Sequence, residues 1–243
     1  MFLHAEINKK YQRVADAYGI QIAVEYGSGF PKTQELINNG SGFVIKLNSE
    51  KISAEAYEEY LSYNVRKIIL PQLRLATDRL LLRRFDRSDA EDYFALLSDK
   101  EDAYMDSGII FPAMDDEYGH LMDDFAAQMR YSIVLQETGH AIGTINLFED
   151  NSRAVETMEI GYAIAPGYKR RGYAYEALSA FLHYLLYDLN LNLIVAGVIP
   201  DNMPSIGLLE KLGFQYEGLK HKAFWNEMRG PVDLRYYYLE KTV

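Results

Sequence analysis

Apolar residues recur at helical spacing over residues 7–18, with Gly19 as a stop, and a short strand pattern occupies 21–26. Gly27-Ser28-Gly29-Phe30-Pro31 is a turn-rich break, and a second apolar strand covers 43–47 after Gly40-Ser41-Gly42. Ser53 caps a helix that carries Tyr57, Leu61 and Val65 towards Pro71. The order helix, strand, strand, helix predicts a small α-β-β-α unit over residues 1–72. A unit of this size is marginal alone, so it is expected to lean on the rest of the chain or on another subunit.

From Leu80 the pattern changes. It predicts a strand at 79–85, a helix at 86–98 with Ser88 as its cap, and a second helix at 115–129. Three strands follow at 131–136, 141–148 and 157–165. A long amphipathic helix covers 172–189, with Ala177, Leu178, Phe181, Leu182 and Leu185 on one face. The remainder reads as a strand (193–199), a short helix (205–212) and two strands (214–218, 234–239). The expected fold class is α/β: a mixed sheet over residues 73–243, with antiparallel hairpins in the middle and one crossover helix late.

Composition narrows what such a chain does. With 243 residues, 49% hydrophobic and 25% charged, it is an ordinary globular chain. No run of 18 apolar residues exists, so no membrane partner is expected, and the first six residues lack the basic and apolar regions of a secretory signal. The absence of cysteine removes disulfides, thiolate metal sites and a cysteinyl acyl intermediate, and a cytoplasmic setting is the simplest reading. No metal is expected, because His4, His120, His140, His183 and His221 have no ligand-like spacing. A net charge of −10 disfavours nucleic acid. The imbalance lies wholly in residues 73–243, and the stretch 99–124 holds nine carboxylates against Lys100. That stretch is either a solvated helical face or a field that draws in a cationic molecule.

The segment from Glu159 to Leu178 carries the chemistry. It runs from a strand, through the basic loop Lys169-Arg170-Arg171-Gly172, into the start of the long helix. The first amides of a helix have no partner within it, and with the helix dipole they form a receptor for an anion. Gly172 lets the backbone approach a phosphate closely, and Ala174 keeps the next position small. Both the P-loop pattern and Gly-x-Gly-x-x-Gly are absent. A basic helix start that merely caps and solvates is the alternative.

Lys169-Arg170-Arg171-Gly172-Tyr173-Ala174 resembles the pyrophosphate motif of the GNAT N-acetyltransferases, [Arg/Gln]-x-x-Gly-x-[Gly/Ala]. Glu159-Ile160-Gly161-Tyr162, the run at 174–178, Asn202-Met203-Pro204-Ser205, Glu210-Lys211-Leu212-Gly213-Phe214 and Glu217-Gly218 recur in that order in the RimJ/RimL-like subgroup. The resemblance covers residues 73–243 and leaves 1–72 without a reading. It implies acetyl-CoA as co-substrate, with Lys169, Arg170, Arg171, Gly172, Tyr173 and Ala174 around the pyrophosphate. It also implies pairing of the strand edge Tyr162, Ala163, Ile164 and Ala165 with the pantetheine arm, and a hydrogen bond from Asn202, which suits a helix N-cap equally well. Glu159 is the implied base and Ser205 the implied group at the leaving thiolate; their plain alternatives are an ion pair and a first-turn cap. Lys169 departs from Arg or Gln, and Leu209 stands where many members carry a tyrosine acid. Phe224 and Trp225 could line the acceptor pocket or be buried on the sheet. The acceptor implied is a protein N-terminus or a small cationic amine, and a homodimer is one compatible assembly. The missing tyrosine keeps open a non-catalytic acyl-CoA sensor, with residues 1–72 recruiting a partner.

Overall fold

Among the residues described by the computed structural model, 3–5 and 9–241, the strands close into two separate sheets. One unit comprises Met1–Gln72 together with Tyr184–Leu191. Its elements are β1 (Leu3–Ala5), α1 (Lys9–Ala17), β2 (Ile22–Gly27), β3 (Gln34–Asn38), β4 (Phe43–Asn48) and α2 (Tyr57–Ile69). The strand order is β1-β2-β4-β3, with β2 and β4 parallel and the other pairs antiparallel. The α-β-β-α expectation is thus corrected by two further strands. β1 is too short to show a period, and β3 has only Leu36 and Ile37 as adjacent apolar residues, so neither alternates. β3 forms because its backbone pairs with β4 from Gln34–Leu47 to Asn38–Phe43. Of the helix expected over 7–18, residues 7 and 8 lie outside the described part, and Gly19 ends it in a left-handed turn at φ +63°.

Tyr11, Ala15, Ile45, Leu47, Leu61, Val65 and Ile69 form this unit's buried interior. Arg66 is also buried, and its Nη1 donates to the Leu189 carbonyl at 2.6 Å. Burial pulls its pKa down to about 10. Residues Tyr184–Asp188 are π-helical, so the continuous helix expected over 172–189 ends as an α-helix at His183. The amide of Leu189 reaches back five residues to Tyr184 at 2.9 Å, the widened turn of a π segment.

The second unit is Leu73–His183 with Asn192–Val243. Its sheet has the order β11-β12-β10-β9-β8-β7-β6-β5. The strands are β5 (Arg74–Ala76), β6 (Leu80–Arg84), β7 (Arg130–Leu135), β8 (Ala141–Glu149), β9 (Thr157–Ile164), β10 (Leu193–Val198), β11 (Gln215–Asn226) and β12 (Gly230–Glu240). The helices are α3 (Ala90–Leu97), α4 (Lys100–Tyr104), α5 (Asp116–Ala127), α6 (Tyr173–His183) and α7 (Met203–Lys211). β9 and β10 are parallel, joined through α6; the other neighbours are antiparallel. Side chains alternate across the sheet. Ser132, Thr144 and Ala163 face α3 and α5, where Tyr93, Tyr118, Met122 and Phe125 build an aromatic cluster with Val134 and Ala141. Tyr131, Ile145 and Tyr162 face the opposite way, towards Phe181 of α6, whose ring centre lies 5.1 Å from that of Tyr131. Among the described residues, no helix is long and apolar enough to cross a membrane.

Other local expectations are also corrected. The turn into α3 is capped by Asp86, which accepts from the Ser88 amide at 2.9 Å in a capping box with Asp89; Ser88 is not the cap. β11 runs to Asn226 and not to 218. Its side chains are mostly exposed and two register shifts interrupt it, as suits a polar edge strand with no apolar alternation to read.

The hairpin between β11 and β12 is tied to the chain beyond α4. Buried Asn226 donates to the carbonyls of Ala103, Tyr104 and Asp106, and it accepts from the amides of Met228 and Arg229. Gly108 closes this contact at φ +78°, where an added Cβ would sit 2.5 Å from the Glu227 nitrogen. Backbone cannot yield as a side chain can. Gly108→Ala is expected to cost about 2–4 kcal/mol through left-handed strain and clash, read as a fall in Tm on the order of 10 °C. An unchanged Tm would show that the loop is not docked there.

Candidate active site

The sheet opens in its centre. β10 pairs with β9 only from Leu193–Thr157 to Val195–Glu159; beyond that β10 follows β12 to Val198, while β9 follows β8 to Ile164. The strands part after Glu159, and among the described residues one edge of β9 has no ladder partner from Ile160 onward. Ala165 donates its amide to Ile142 at 2.8 Å, so alternation turns the backbone groups of Ala163 and Ala165 towards β8. The amides and carbonyls of Tyr162 and Ile164 point into the gap. Of the four residues expected at this edge, the structure brings two to it.

β9 leads directly to the basic loop. A 3-10 turn at Pro166–Tyr168 is followed by left-handed Arg170 at φ +61° and Gly172 at φ +84°, and α6 begins at Tyr173. Among the described residues, no protein acceptor receives the amides of residues 170–175; the first helical bond is from Glu176 to the Gly172 carbonyl, at 3.0 Å. Consecutive free amides around a reversal of backbone hand form an anion-binding concavity, and the helix dipole reinforces it. Arg170 and Arg171 are exposed at its rim. Lys169 instead forms an ion pair with Asp102 of α4. Burial raises the Asp102 carboxyl, although Lys169 pulls it the other way.

Sequence reasoning missed the clamp behind this loop. Glu176 accepts from the Thr77 hydroxyl at 2.6 Å, the Arg79 amide at 2.9 Å and the Arg79 Nε at 2.6 Å. Arg79 also donates to the Arg171 carbonyl at 3.2 Å and lies over the Tyr173 ring at 4.4 Å. Burial alone would raise the Glu176 carboxyl, but these hydrogen bonds outweigh it and hold the group below the usual carboxylate range. The one sequence signal was an acid in the first turn of a helix.

Glu159 lies on the face that carries Gly161 and Ala163, beside the end of the ladder. The Tyr236 hydroxyl approaches its two oxygens at 3.4 and 3.5 Å, and Lys220 lies over the Tyr236 ring at 3.6 Å. Burial raises the Glu159 carboxyl above its ordinary value, and the Lys220 charge opposes that only in part. A pocket of about 320 Å³ opens between Ser152, Arg153 and the β11 segment from Glu217 to Lys220, with Tyr236 on its wall; Glu159 does not line it. Phe224 packs on the cluster of Ile199, Val232, Leu234 and Tyr236, whereas Trp225 is 60% exposed and so is not buried on the sheet.

Ser205 and Asn202 belong to α7, and Ser205 meets the opposite face of β9. Asn202 caps the helix, its Oδ1 accepting from the Ser205 amide at 3.2 Å and leaving its NH2 group to donate elsewhere. The Ser205 Oγ lies 2.8 Å from the Tyr162 hydroxyl. Glu159 and Ser205 therefore flank the gap from opposite faces and do not touch. Leu209 is fully buried.

The nine carboxylates over 99–124 divide by role. Asp99 and Asp115 cap helices, Asp102 holds Lys169 and Asp123 pairs with Arg87. Glu101, Asp116, Glu117 and Asp124 are exposed; Asp106 is exposed as a residue, but burial of its carboxyl raises that group above its ordinary value. Among the described residues, no cluster of metal-ligating side chains occurs.

Residues 79–215 match a family described as Acetyltransferase (GNAT) domain. An uncharacterized N-acetyltransferase, p20, of Bacillus licheniformis is 36% identical over 156 residues, covering 60% of this chain and 84% of its own. The [ribosomal protein uS5]-alanine N-acetyltransferase of Escherichia coli is 27% identical over 159 residues, covering 61% and 81% respectively. Among solved structures, a GNAT-family acetyltransferase of Bacillus anthracis superposes with a TM-score of 0.62 at 26% identity, over 69% of this chain and 98% of its own.

Proposed function

Since the chain belongs to the GNAT family of acetyltransferases, we propose that it moves the acetyl group of acetyl-CoA directly to a primary amine, at a protein N-terminus or on a small cationic molecule. The observation that carries the donor assignment is the open β9 edge running into the free amides of residues 170–175. Those amides hold the pyrophosphate, with Arg170 and Arg171 at the rim. The backbone of Tyr162 and Ile164 pairs with the pantetheine arm and polarises the thioester, and the Asn202 NH2 group donates to the arm. Catalysis is assigned to the unit of Leu73–His183 and Asn192–Val243.

The chemistry runs through the gap from one face to the other. A neutral amine attacks the thioester carbon from the Glu159 face and loses a proton to that carboxylate as the N–C bond forms. The C–S bond then breaks and the sulfur takes the electron pair. On the opposite face the Ser205 hydroxyl hydrogen-bonds the thiolate, which solvent protonates after release. A cationic acceptor is supported by the net charge of −10 and by the exposed carboxylates between 101 and 124. The likeness to an enzyme named for ribosomal-protein alanine favours a peptide N-terminus among such amines.

Calorimetric titration with acetyl-CoA tests the donor half, and one-to-one binding is the expected result. Thiol release is then followed with small polyamines and with peptides that begin in alanine; the reagent sees only CoA, because the chain has no cysteine. No heat at high micromolar acetyl-CoA would overturn the donor site.

A further inference from the structure

Ser205 is held from three sides. Its main chain is in the first turn of α7, its amide donates to Asn202, and its Oγ lies 2.8 Å from the Tyr162 hydroxyl. The Tyr162 oxygen also lies 3.3 Å from the Ser205 carbonyl, a longer contact to a group that the helical pattern supplies with the Leu209 amide. Either hydroxyl could donate across the 2.8 Å contact; the shorter distance favours assigning the phenolic proton to the serine oxygen. A hydroxyl that accepts there must turn its own proton elsewhere. Tyr162 stands on the strand whose free edge opens the gap, so a serine oxygen that accepts from it lies beside that strand with its own proton free to turn to the gap. Burial pushes the phenol up to about 12, so Tyr162 stays a donor across the working pH range.

We propose that Tyr162 is a positioning residue: its hydroxyl donates to Ser205 Oγ and so directs the Ser205 proton at the departing CoA sulfur. This rests on the role given to Ser205 above. No proton is transferred in the step. The C–S electron pair goes to sulfur, Ser205 keeps its proton while donating it to the thiolate, and Tyr162 keeps its own while donating to Ser205.

The test reads the thiol of bound CoA, with CoA alone as the probe and the full chain. CoA carrying 13C at the carbon next to sulfur is bound, and its chemical shift is followed against pH; no cysteine competes. Bound to the unsubstituted protein, the thiol should titrate below free CoA. In Ser205→Ala and in Tyr162→Phe the midpoint should return upward by about one pH unit, and the double variant should match Ser205→Ala alone. A Tyr162→Phe midpoint equal to that of the unsubstituted protein, with Ser205→Ala shifted, overturns the positioning role and leaves Ser205 in place. Shifts that add in the double variant overturn it too, because Tyr162 would then act independently. A Ser205→Ala midpoint that does not move removes the serine role, and the inference with it. Failure of CoA to bind to the unsubstituted protein removes both along with the donor site.

Discussion

Replacing Gly172 by glutamate is expected to lower acetyl-CoA affinity at least about a hundredfold while the protein stays folded. Gly172 is left-handed at φ +84°, and the nearest atom to an added Cβ is the terminal nitrogen of Arg79 at 3.5 Å, an ordinary contact. Room therefore exists for a side chain in the free protein. The cost to folding is the backbone strain alone, roughly 1–2 kcal/mol. The cost to binding is larger. The new side chain occupies the mouth of the amide concavity, its charge repels a pyrophosphate, and each lost hydrogen bond to a charged group is worth roughly 1.5–3 kcal/mol. Gly172→Asn separates the two terms, since asparagine tolerates the left-handed region and brings no charge; it should fall between glycine and glutamate. Calorimetry and thermal unfolding decide the matter. Full affinity in the glutamate variant would place the phosphates elsewhere.

The second large effect is expected at Glu159. Glu159→Gln should reduce kcat roughly a hundredfold or more with little change in acetyl-CoA affinity. The pH dependence follows from burial, which raises this carboxyl above its ordinary value of 4.5. The base is active only when ionised, so kcat/KM should fall on acidification, with a midpoint above that of an exposed glutamate. The variant should lack that limb. Stability runs the other way. A carboxyl raised by folding contributes its stability at low pH and loses it as pH rises through the raised value, so at neutral pH the ionised group is a burden. Glu159→Gln should leave Tm unchanged or slightly higher, which separates lost chemistry from lost structure. A variant with full kcat would remove the base and leave the enzyme class untouched.

What the sequence made legible depended on how local each cause was. The loop and helix start at 169–174 could be read because one glycine and a helix boundary dictate free amides wherever they fall. The central strands could be read because they are short, largely apolar runs buried on both faces. β3 and the outer half of β11 could not: their order comes from backbone pairing with a neighbour, which leaves little trace in side-chain pattern. The Arg79–Glu176 clamp joins residues 97 positions apart, and the Tyr162–Ser205 pair joins residues 43 apart. Each looked unremarkable in its own segment. Tyr162 was read for its backbone, and the register that turns its ring towards α7 emerges only from β8 and β9 together. Lys169 reads as one of the charges around the pyrophosphate because its partner, Asp102, lies within an acidic run that reads as solvated surface.

Genetic dissection has to respect how the chain is threaded. Residues Tyr184–Leu191 belong with Met1–Gln72, although more than a hundred residues separate them in sequence. A single scission at residue 72 therefore yields no clean half. The C-terminal fragment would carry an orphaned octapeptide with Leu185, Leu186, Leu189 and Leu191, and the N-terminal fragment would keep Arg66 buried without the Leu189 carbonyl that receives it. The two units are thus linked in inheritance as well as in synthesis: a recombination event that exchanged the first 72 residues would have to bring along eight more from the middle of the other unit.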